Sequence, residues 1–380
     1  MKIGLSTTSI EPGRTGGMFD GFGHYTQHLR DGLRAAGHEV AGYSFPPLFG
    51  GRDVLREGSS MPAPFSLMAA GALGGMAGCR PDCDLFHITD FKVVPMRIPV
   101  VVTVWDAIPL LHPEWLSKRI RLFAPAIIKR TVPRADRVIV GTDHGAREVA
   151  AHFRIPESRI SIVPWGIGSH WLEPIPEPTR QAVLDKYGLK PGYFLTVGTI
   201  QPRKNIDTLL TAYRLLPPSL RQHHKLVIVG RYGWGKPELL ARLEDAVARG
   251  DVVWLRSVTR DEDVRALYAA AHVYVFPSLY EGFGIPLLEA FASEVPVIAS
   301  NRTALPEVGA GAALEVDPLD VAEMAEAMSM LAQDAKMRAE HIGRGRRRAR
   351  ELNIDAAVEA TIAVYEKTLA TGKVVKAGCC

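Results

Sequence analysis

Short apolar runs rich in β-branched residues alternate with helical stretches along almost the whole chain, and this alternation constrains the fold more than any other feature. In the first half, the predicted strands span residues 2–7, 38–44, 85–89, 100–106, 137–142 and 160–164. In the second half, they span residues 193–198, 225–230, 252–256, 273–276 and 296–300. Such alternation predicts an α/β fold in which parallel sheets are covered by helices on both faces.

Length and proline content divide the chain into two domains. With 380 residues, of which 47% are hydrophobic, two domains are favoured over one. Residues 172–179 contain three prolines, which can continue neither a helix nor a central strand, so we place the linker there. The predicted domains are residues 1–172 and 173–350, followed by a C-terminal helix and tail over residues 351–380.

The composition excludes several classes of protein. A net charge of +4 suits anionic ligands or an anionic membrane face, but it is too evenly spread to indicate nucleic acid binding. The four cysteines form no paired Cys-x-x-Cys groups, which favours a reducing cytoplasm. The N-terminus lacks the apolar segment of a signal peptide, and the longest apolar run, residues 65–78, is too short to cross a bilayer. We therefore expect a soluble chain or one that lies on a membrane.

The segment over residues 276–291 carries the most specific chemistry. A strand breaks at Pro277, and a helix restarts near Pro286, which fits the first helical turn. Glu281 lies in the intervening loop, and Glu289 lies roughly two turns into the helix. Gly284 allows a close backbone approach, so that the N–H groups opening the helix can face an anion. The simpler alternative is a solvated glutamate in a turn and another on a helix surface.

A second loop follows the first strand of the C-terminal half and reads Gly-Thr-Ile-Gln-Pro-Arg-Lys-Asn over residues 198–205. Arg203 offers a planar fork and Lys204 a compact charge, and both suit phosphate oxygens. Ligands of open parallel sheets bind outside the carboxyl ends of the strands, where this loop is expected. An alternative is that the two cations are plain surface charge.

The block Glu-Gly-Phe-Gly-Ile-Pro-Leu-Leu-Glu-Ala at residues 281–290 resembles the Glu-x7-Glu signature of the retaining nucleotide-sugar glycosyltransferases of family four, also called glycosyltransferase group 1. That family has the GT-B fold, in which two Rossmann-like domains with parallel sheets face each other across a cleft. The resemblance implies that the first domain binds an acceptor and the second a nucleotide sugar. It also implies that the last helix crosses back to the first domain.

The resemblance assigns roles to individual residues. Arg203 and Lys204 would bind the donor diphosphate. Glu281 would bind hydroxyls of the donor sugar, and Glu289 both hydroxyls of a ribose. Backbone groups that would approach the donor belong to Gly16, Gly17, Gly198, Phe283, Gly284, Ile285 and Leu287. Some relatives carry an arginine directly after the glycine of the 198–205 loop, where this chain has Thr199, which leaves open how the two cations divide their task.

The segment after the strand at residues 100–106 departs from the family pattern. Relatives commonly read His-Asp-Leu-Ile-Pro-Leu, whereas this chain has Trp105 in place of the histidine. The substitution removes a polar contact usually aimed at the donor sugar, which is consistent with an altered sugar or a different acceptor. Asp106 remains a candidate catalytic residue that contacts sugar. His87 and Asp90 are candidates for the acceptor side, although a structural role is the simpler reading of each.

We expect no metal and no cofactor. Asp82-Cys-Asp84 reads as the Asp-x-Asp metal motif of the other large glycosyltransferase fold, but it precedes its strand and so falls at the opposite edge of the sheet from the predicted site. Two cations and helix amides can neutralise a departing diphosphate without Mg²⁺.

A basic amphipathic stretch between residues 116 and 137 is a candidate for peripheral contact with an anionic membrane. Its cations are Lys118, Arg119, Arg121, Lys129, Arg130 and Arg134. An ordinary surface helix fits this stretch equally well. It is also the simpler reading of the arginine-rich run at residues 344–350.

Together, these features predict a retaining glycosyltransferase that moves a hexose from a nucleotide-sugar donor to a hydroxyl of a glycan or lipid-linked glycan. The motifs resemble those of enzymes that transfer mannose from GDP-mannose. A UDP-sugar donor, a sugar-nucleotide epimerase on the same fold and a non-catalytic glycan-binding protein remain alternatives. We expect a cytoplasmic protein, peripheral on the inner face of the cell membrane, in which Glu281→Ala abolishes transfer without affecting folding.

Overall fold

The computed structural model describes residues 1–12, 21–47, 55–56, 58–74, 78–116, 121, 124–235 and 237–371. The chain forms two compact units. The first comprises Met1–Pro164 and the C-terminal segment from Ile354, and the second comprises Trp165–Asn353. The second unit thus begins before the predicted limit at residue 172. The reason is that Trp165 is buried and packs edge-on against Phe283 of the same unit, with ring centroids 5.1 Å apart.

The first unit is built on a seven-stranded parallel sheet with the order β3-β2-β1-β4-β5-β6-β7. The strands are β1 (Lys2–Ser6), β2 (Glu39–Ser44), β3 (Ser59–Ser60), β4 (Leu85–Ile88), β5 (Val100–Thr103), β6 (Arg137–Val140) and β7 (Ile160–Ile162). Its helices are α1 (Gly21–Ala35), α2 (Phe65–Leu73), α3 (Ile108–Leu111), α4 (Ala124–Thr131) and α5 (Asp143–Phe153). Every residue of the central strands β4, β5 and β6 is buried, as expected when helices cover both faces of a parallel sheet.

The second unit contains a six-stranded parallel sheet with the order β10-β9-β8-β11-β12-β13. The strands are β8 (Tyr193–Val197), β9 (Leu226–Val229), β10 (Val252–Leu255), β11 (Ala271–Phe276), β12 (Val297–Ser300) and β13 (Leu314–Val316). The helices are α6 (Glu177–Tyr187), α7 (Ile206–Leu215), α8 (Pro218–His223), α9 (Pro237–Ala248), α10 (Asp261–Ala269), α11 (Ile285–Ala292), α12 (Leu305–Gly309), α13 (Val321–Gln333) and α14 (Ala335–Glu351). In this sheet β8 lies between β9 and β11, so the loops that leave these three strands open at one edge.

All eleven strands predicted from the sequence form, and the structure adds the short strands β3 and β13. The predicted linker at residues 172–179 is wrong in part, because helix α6 begins inside it at Glu177. Pro178 occupies the first turn of that helix, where its missing N–H has no intrahelical partner to lose.

The chain ends in helix α15 (Ile354–Thr371), which belongs to the first unit and packs against α1. Contact is close enough that a Cβ at Gly32 of α1 would lie 2.5 Å from the Cγ2 atom of Val358. The hydroxyl of Tyr365 lies 2.6 Å from Nδ1 of His87 in β4. Within the described ranges, no helix is long and apolar enough to cross a membrane.

Candidate functional site

The loop that leaves β8 is folded tightly against the loop that leaves β9. Gly198 has a φ of +141°, and a Cβ added there would lie 3.4 Å from Cε of Lys204. Gly230, at the end of β9, has a φ of +142°, and a Cβ added there would lie 2.2 Å from the carbonyl oxygen of Gly198. Both positions therefore require glycine, and the close packing places Lys204 beside the start of its own loop.

The predicted phosphate-binding segment of the β8 loop is a single turn of 3-10 helix, Pro202–Lys204. The next residue, Asn205, is in the left-handed region with a φ of +54° and is buried. Its side-chain amide donates to the carbonyl oxygens of Pro277 and Pro318, at 3.1 and 2.6 Å. The carbonyl of Arg203 accepts from the backbone N–H of Leu279 at 2.7 Å. The turn is thus fastened to the loop that follows β11.

This arrangement brings Glu281 into contact with both predicted phosphate-binding cations. Its Oε2 lies 2.6 Å from Nη1 of Arg203, and its Oε1 lies 2.7 Å from Nζ of Lys204. The side chains of Glu281 and Lys204 are 8% and 10% exposed, whereas that of Arg203 is 22% exposed. The ammonium of Lys204 also lies 4.7 Å from the centre of the Phe276 ring, a cation–π distance.

Burial and pairing set the charges of this cluster. Burial opposes ionisation of Glu281, but the charges of Arg203 and Lys204 outweigh it and lower the pKa of Glu281 to about 2. Burial lowers the pKa of Lys204 to about 8, and the charge of Glu281 opposes that shift. At neutral pH, the three residues therefore carry two positive charges and one negative charge. The net positive charge suits an anionic ligand.

Helix α11 begins directly after the Glu281 loop, as predicted. Gly284 has a φ of +108°, and a Cβ there would lie 2.6 Å from Cδ2 of Leu305, so the helix can open this way only with glycine. The expected row of amides over residues 283–287 is shorter than predicted. Pro286 has no N–H, and the N–H of Leu287 donates to the carbonyl of Gly284 at 2.9 Å. Phe283 is buried against Trp165.

Glu289 lies on α11 and contacts a buried tyrosine. The hydroxyl of Tyr268, on α10, donates to Oε2 of Glu289 at 3.1 Å. Burial raises the pKa of Glu289 to about 7, and the Tyr268 hydrogen bond opposes that increase. At neutral pH the carboxyl group of Glu289 is thus balanced between its two protonation states, unlike that of Glu281.

The first unit holds the candidates that follow β5. Asp106 is half-buried, and its Oδ1 accepts from the backbone N–H of Ile108 at 3.0 Å, at the start of α3. The indole N–H of Trp105 donates to the carbonyl of Thr89 at 2.9 Å. The indole also packs edge-on against Phe22 and Tyr25, with ring centroids 5.1 and 4.8 Å apart. Trp105 therefore has a fixed orientation beside Asp106.

The predicted acceptor-side histidine is part of the core instead. His87 lies within β4 rather than after it, is fully buried, and contacts the hydroxyls of Tyr365 and Thr103 at 2.6 and 2.8 Å. Burial lowers its pKa to about 3, so the imidazole is neutral. Asp90, which does follow the strand, pairs with Lys92 at 2.6 Å. Gly16 and Gly17 lie outside the described residues.

Asp82 and Asp84 lie at the amino ends of the strands. Asp82 pairs with the ammonium of Lys2 at 2.6 Å, and Asp84 accepts from the backbone N–H of Lys2 at 2.8 Å, at the start of β1. Over the parts of the chain that the structure describes, no three His, Cys, Asp or Glu side chains are grouped as a metal site would require.

The sequence did not predict two residues that form hydrogen bonds to Glu281 and Glu289. Tyr268 belongs to no motif in the sequence, so only the fold shows that it contacts Glu289. Thr303 accepts a hydrogen bond from the backbone N–H of Glu281 at 3.0 Å, and it has a φ of +58°. The sequence around Thr303 contains no motif that predicts this contact. The nearest predicted strand, at residues 296–300, ends before Thr303.

The chain matches two known family descriptions. Residues 181–348 match the family described as glycosyl transferases group 1, and residues 19–169 match glycosyltransferase family 4. O-antigen chain mannosyltransferase B of Escherichia coli is 34% identical over 284 residues, which cover 74% of each chain. MMP alpha-(1->4)-mannosyltransferase of Mycolicibacterium hassiacum is 30% identical over 330 residues, 81% of this chain and 76% of that protein. Serotype-specific mannosyltransferase WbdA of Escherichia coli is 32% identical over 53% of this chain but only 25% of its own length.

Several solved structures have the same fold as this chain. Sucrose-phosphate synthase from Thermosynechococcus elongatus has a TM-score of 0.71 at 21% identity and covers 98% of this chain and 100% of its own. WaaG, a glycosyltransferase involved in lipopolysaccharide biosynthesis, has a TM-score of 0.71 at 20% identity and covers 97% of this chain and 100% of its own. At these identities the likeness shows the fold alone.

Proposed function

Because this chain belongs to the group 1 glycosyltransferases and has the GT-B fold that its sequence predicts, we propose that it transfers mannose from GDP-mannose to a hydroxyl of a glycan or lipid-linked glycan, with retention of configuration. The observation that carries the proposal is the contact of Arg203 and Lys204 with Glu281 at the carboxyl edge of the second sheet. Two relatives that match about three quarters or more of this chain are named mannosyltransferases.

In the proposed reaction, the donor diphosphate binds at Arg203 and Lys204. Arg203 retains part of its surface for a ligand, and its guanidinium can donate to several phosphate oxygens at once. Both cations stabilise the negative charge that develops on the departing phosphate. Losing one such preorganised donor typically costs about 3 to 4 kcal/mol of activation free energy. Because these donors and the amides that open α11 supply the compensating charge, the proposal includes no metal and no cofactor.

The acceptor hydroxyl attacks from the side that the leaving group departs from, which preserves the configuration of the sugar. The bond from the anomeric carbon to the phosphate oxygen breaks, and the bond from that carbon to the acceptor oxygen forms. The leaving phosphate takes the acceptor proton, so the step needs no other base. Glu281 would bind sugar hydroxyls, and Asp106 is a proposed sugar ligand.

Peripheral contact with an anionic membrane is part of the proposal, because a lipid-linked acceptor lies at a membrane surface. Lys129 and Arg130, on α4, and the nearby Arg134 are exposed, while Ile128 of the same helix is buried. This pattern places Lys129 and Arg130 on the outer face of α4. Sedimentation with vesicles containing anionic lipid, but not with neutral vesicles, would support the contact.

The donor is tested by measuring thermal stability with GDP, UDP, ADP and TDP and with their sugar conjugates. A ligand that binds the native state raises the melting temperature by mass action. We expect the largest rise with GDP-mannose, and an Arg203→Ala variant should lose it. Arg214→Ala, an exposed arginine on α7, is the matched control and should retain the rise.

A larger rise with a UDP-sugar would contradict the GDP-mannose assignment and favour the alternative donor. The absence of any rise with every nucleotide would contradict the donor site itself. Retention is checked separately, by determining the anomeric configuration of the product by nuclear magnetic resonance. Inversion would refute the proposed stereochemistry.

A further inference from the structure

A fully buried tyrosine, Tyr268, contacts the side chain of Glu289. Tyr268 is completely inaccessible, and its hydroxyl donates to Oε2 of Glu289 at 3.1 Å. Its ring packs edge-on against Trp171, with centroids 5.7 Å apart, and lies 5.2 Å from the ring of Tyr274. These contacts hold the ring without the hydroxyl, which lies closer to Glu289 than to the carbonyl oxygen of Pro286, 3.5 Å away.

The direction of this hydrogen bond follows from the surroundings of the tyrosine. Burial raises the pKa of Tyr268 well above its ordinary value, and the charge of Glu289 adds to the increase. The hydroxyl is therefore protonated throughout the physiological range and acts as the donor. A donor of this kind favours the ionised form of the carboxyl group that accepts its hydrogen bond.

Three other influences act on Glu289. Burial and the charge of Asp261, the first residue of α10, favour the neutral carboxyl, whereas the charge of Lys204 favours the ionised form. Tyr268 works in the same direction as Lys204. Burial is the largest of these influences and raises the pKa of Glu289 to about 7, so the Tyr268 hydrogen bond changes the fraction of Glu289 that is ionised at neutral pH.

We propose that Tyr268 is a positioning residue, which fixes one oxygen of Glu289 and leaves the other to accept hydrogen bonds from the ribose hydroxyls of the donor nucleotide. The inference rests on the proposed function and deepens it. A carboxylate accepts from two hydroxyls, whereas a neutral carboxyl has a proton of its own that competes for one of those positions. Tyr268 therefore orients Glu289 and favours its ionised form.

The test compares the dissociation constants of GDP and 2′,3′-dideoxy-GDP between pH 5.5 and 8.5, by isothermal titration calorimetry. The wild-type protein should bind GDP more tightly, and the ratio of the two constants should increase as the pH rises through about 7. Tyr268→Phe keeps the ring contacts and removes the hydroxyl. We expect it to reduce the ratio at pH 7 by roughly tenfold, as for a hydrogen bond to a charged group, and to move the pH midpoint upward.

Two controls separate positioning from a structural effect. Tyr193→Phe removes another buried hydroxyl, which donates to the carbonyl of Leu267 at 2.6 Å, and it should leave the ratio unchanged. In a Glu289→Ala background, Tyr268→Phe should have no further effect on the ratio.

The inference is overturned if Tyr268→Phe leaves the ratio and its pH profile as in the wild type, or if it lowers the ratio further in the Glu289→Ala background. Failure of the proposed function is distinguishable from this, because the wild-type protein would then bind neither nucleotide.

Discussion

The proposed function gives Glu281 two tasks, which a single carboxylate can perform only in different states of the site. Without a ligand, it neutralises Arg203 and Lys204, both of which are within 2.7 Å. With a donor bound, the diphosphate would supply part of the negative charge that neutralises Arg203 and Lys204. The carboxylate of Glu281 could then accept hydrogen bonds from sugar hydroxyls. Because Lys204 is nearly as buried as Glu281, the carboxylate also affects the stability of the fold. This changes the expectation that Glu281→Ala would leave folding intact.

We expect Glu281→Ala to abolish transfer and to destabilise the protein. The substitution leaves two cations without their counter-charge, one of them buried, and breaking a buried ion pair typically costs about 3 to 5 kcal/mol. Chemical denaturation would measure the loss. Glu177→Ala removes an acid from an exposed pair with Arg180 and should change little. An unchanged free energy of unfolding for Glu281→Ala would show that the cluster does not support the fold.

The acid dependence of stability should reveal the same cluster. The pKa of Glu281 is lowered from 4.5 to about 2 in the folded protein, so its contribution is complete above pH 4.5 and is lost as the pH falls towards 2. The difference in unfolding free energy between the wild type and Glu281→Gln should therefore shrink below pH 4.5. Guanidinium denaturation between pH 7 and 3 would measure it. A difference that stays constant over this range would contradict the assignment.

The turn into α11 controls where Glu281 and Glu289 lie, because it separates the loop from the helix. Gly284 has a positive φ, and its α-carbon faces Leu305 and Phe276 with no space for a side chain. The preceding strand β11 and the following helix are both well buried, so the turn cannot relax by moving either element.

Gly284→Ala should weaken both stability and donor binding. The methyl group would lie 2.6 Å from Leu305, and a residue with a side chain held at such a φ typically costs about 1 to 3 kcal/mol. Chemical denaturation and nucleotide titration would measure the two effects. Gly188→Ala is the matched control, since Gly188 also has a positive φ but no atom within 4 Å of the added methyl group. We expect it to reduce stability without changing affinity, and equal effects of both variants on affinity would refute the argument.

At the level of the whole chain, the C-terminal helix completes the first unit. Helix α15 begins at Ile354, directly after the second unit ends, and returns to α1 and β4. His87 depends on this return, because one of its ring nitrogens faces Tyr365, 278 residues later, and the other faces Thr103. The neutral imidazole has one donor and one acceptor nitrogen, and both are used.

Tyr365→Phe should destabilise the first unit, because it leaves one nitrogen of the buried His87 without a partner. The expected cost is about 1 to 3 kcal/mol, measured by chemical denaturation. Thr371→Val removes an exposed hydroxyl from the same helix and should have little effect. If the two variants are equally stable, the His87 contact does not hold α15 in place.

The predicted strands form close to their expected bounds, because the periodicity of apolar residues is a local property of the chain. The main error concerns helix α6, since Pro178 lies in its first turn, where proline is tolerated. The roles of His87 and Asp106 depend on the exact residue at which each strand ends. His87 falls inside β4, so it became part of the core, whereas Asp106 follows β5 and remains at the edge of the sheet.

Local patterns in the amino-acid order were enough to establish the α/β class, the position of the two glutamates and the loop that carries Arg203 and Lys204. The tertiary structure alone decided which side chains meet. Lys204 reaches Glu281 across 77 residues, and Tyr268 reaches Glu289 from a different helix. The physical reason is that charge, burial and pKa depend on neighbours in space. Those neighbours are set by the order of the strands in the sheet, which no short stretch of sequence contains.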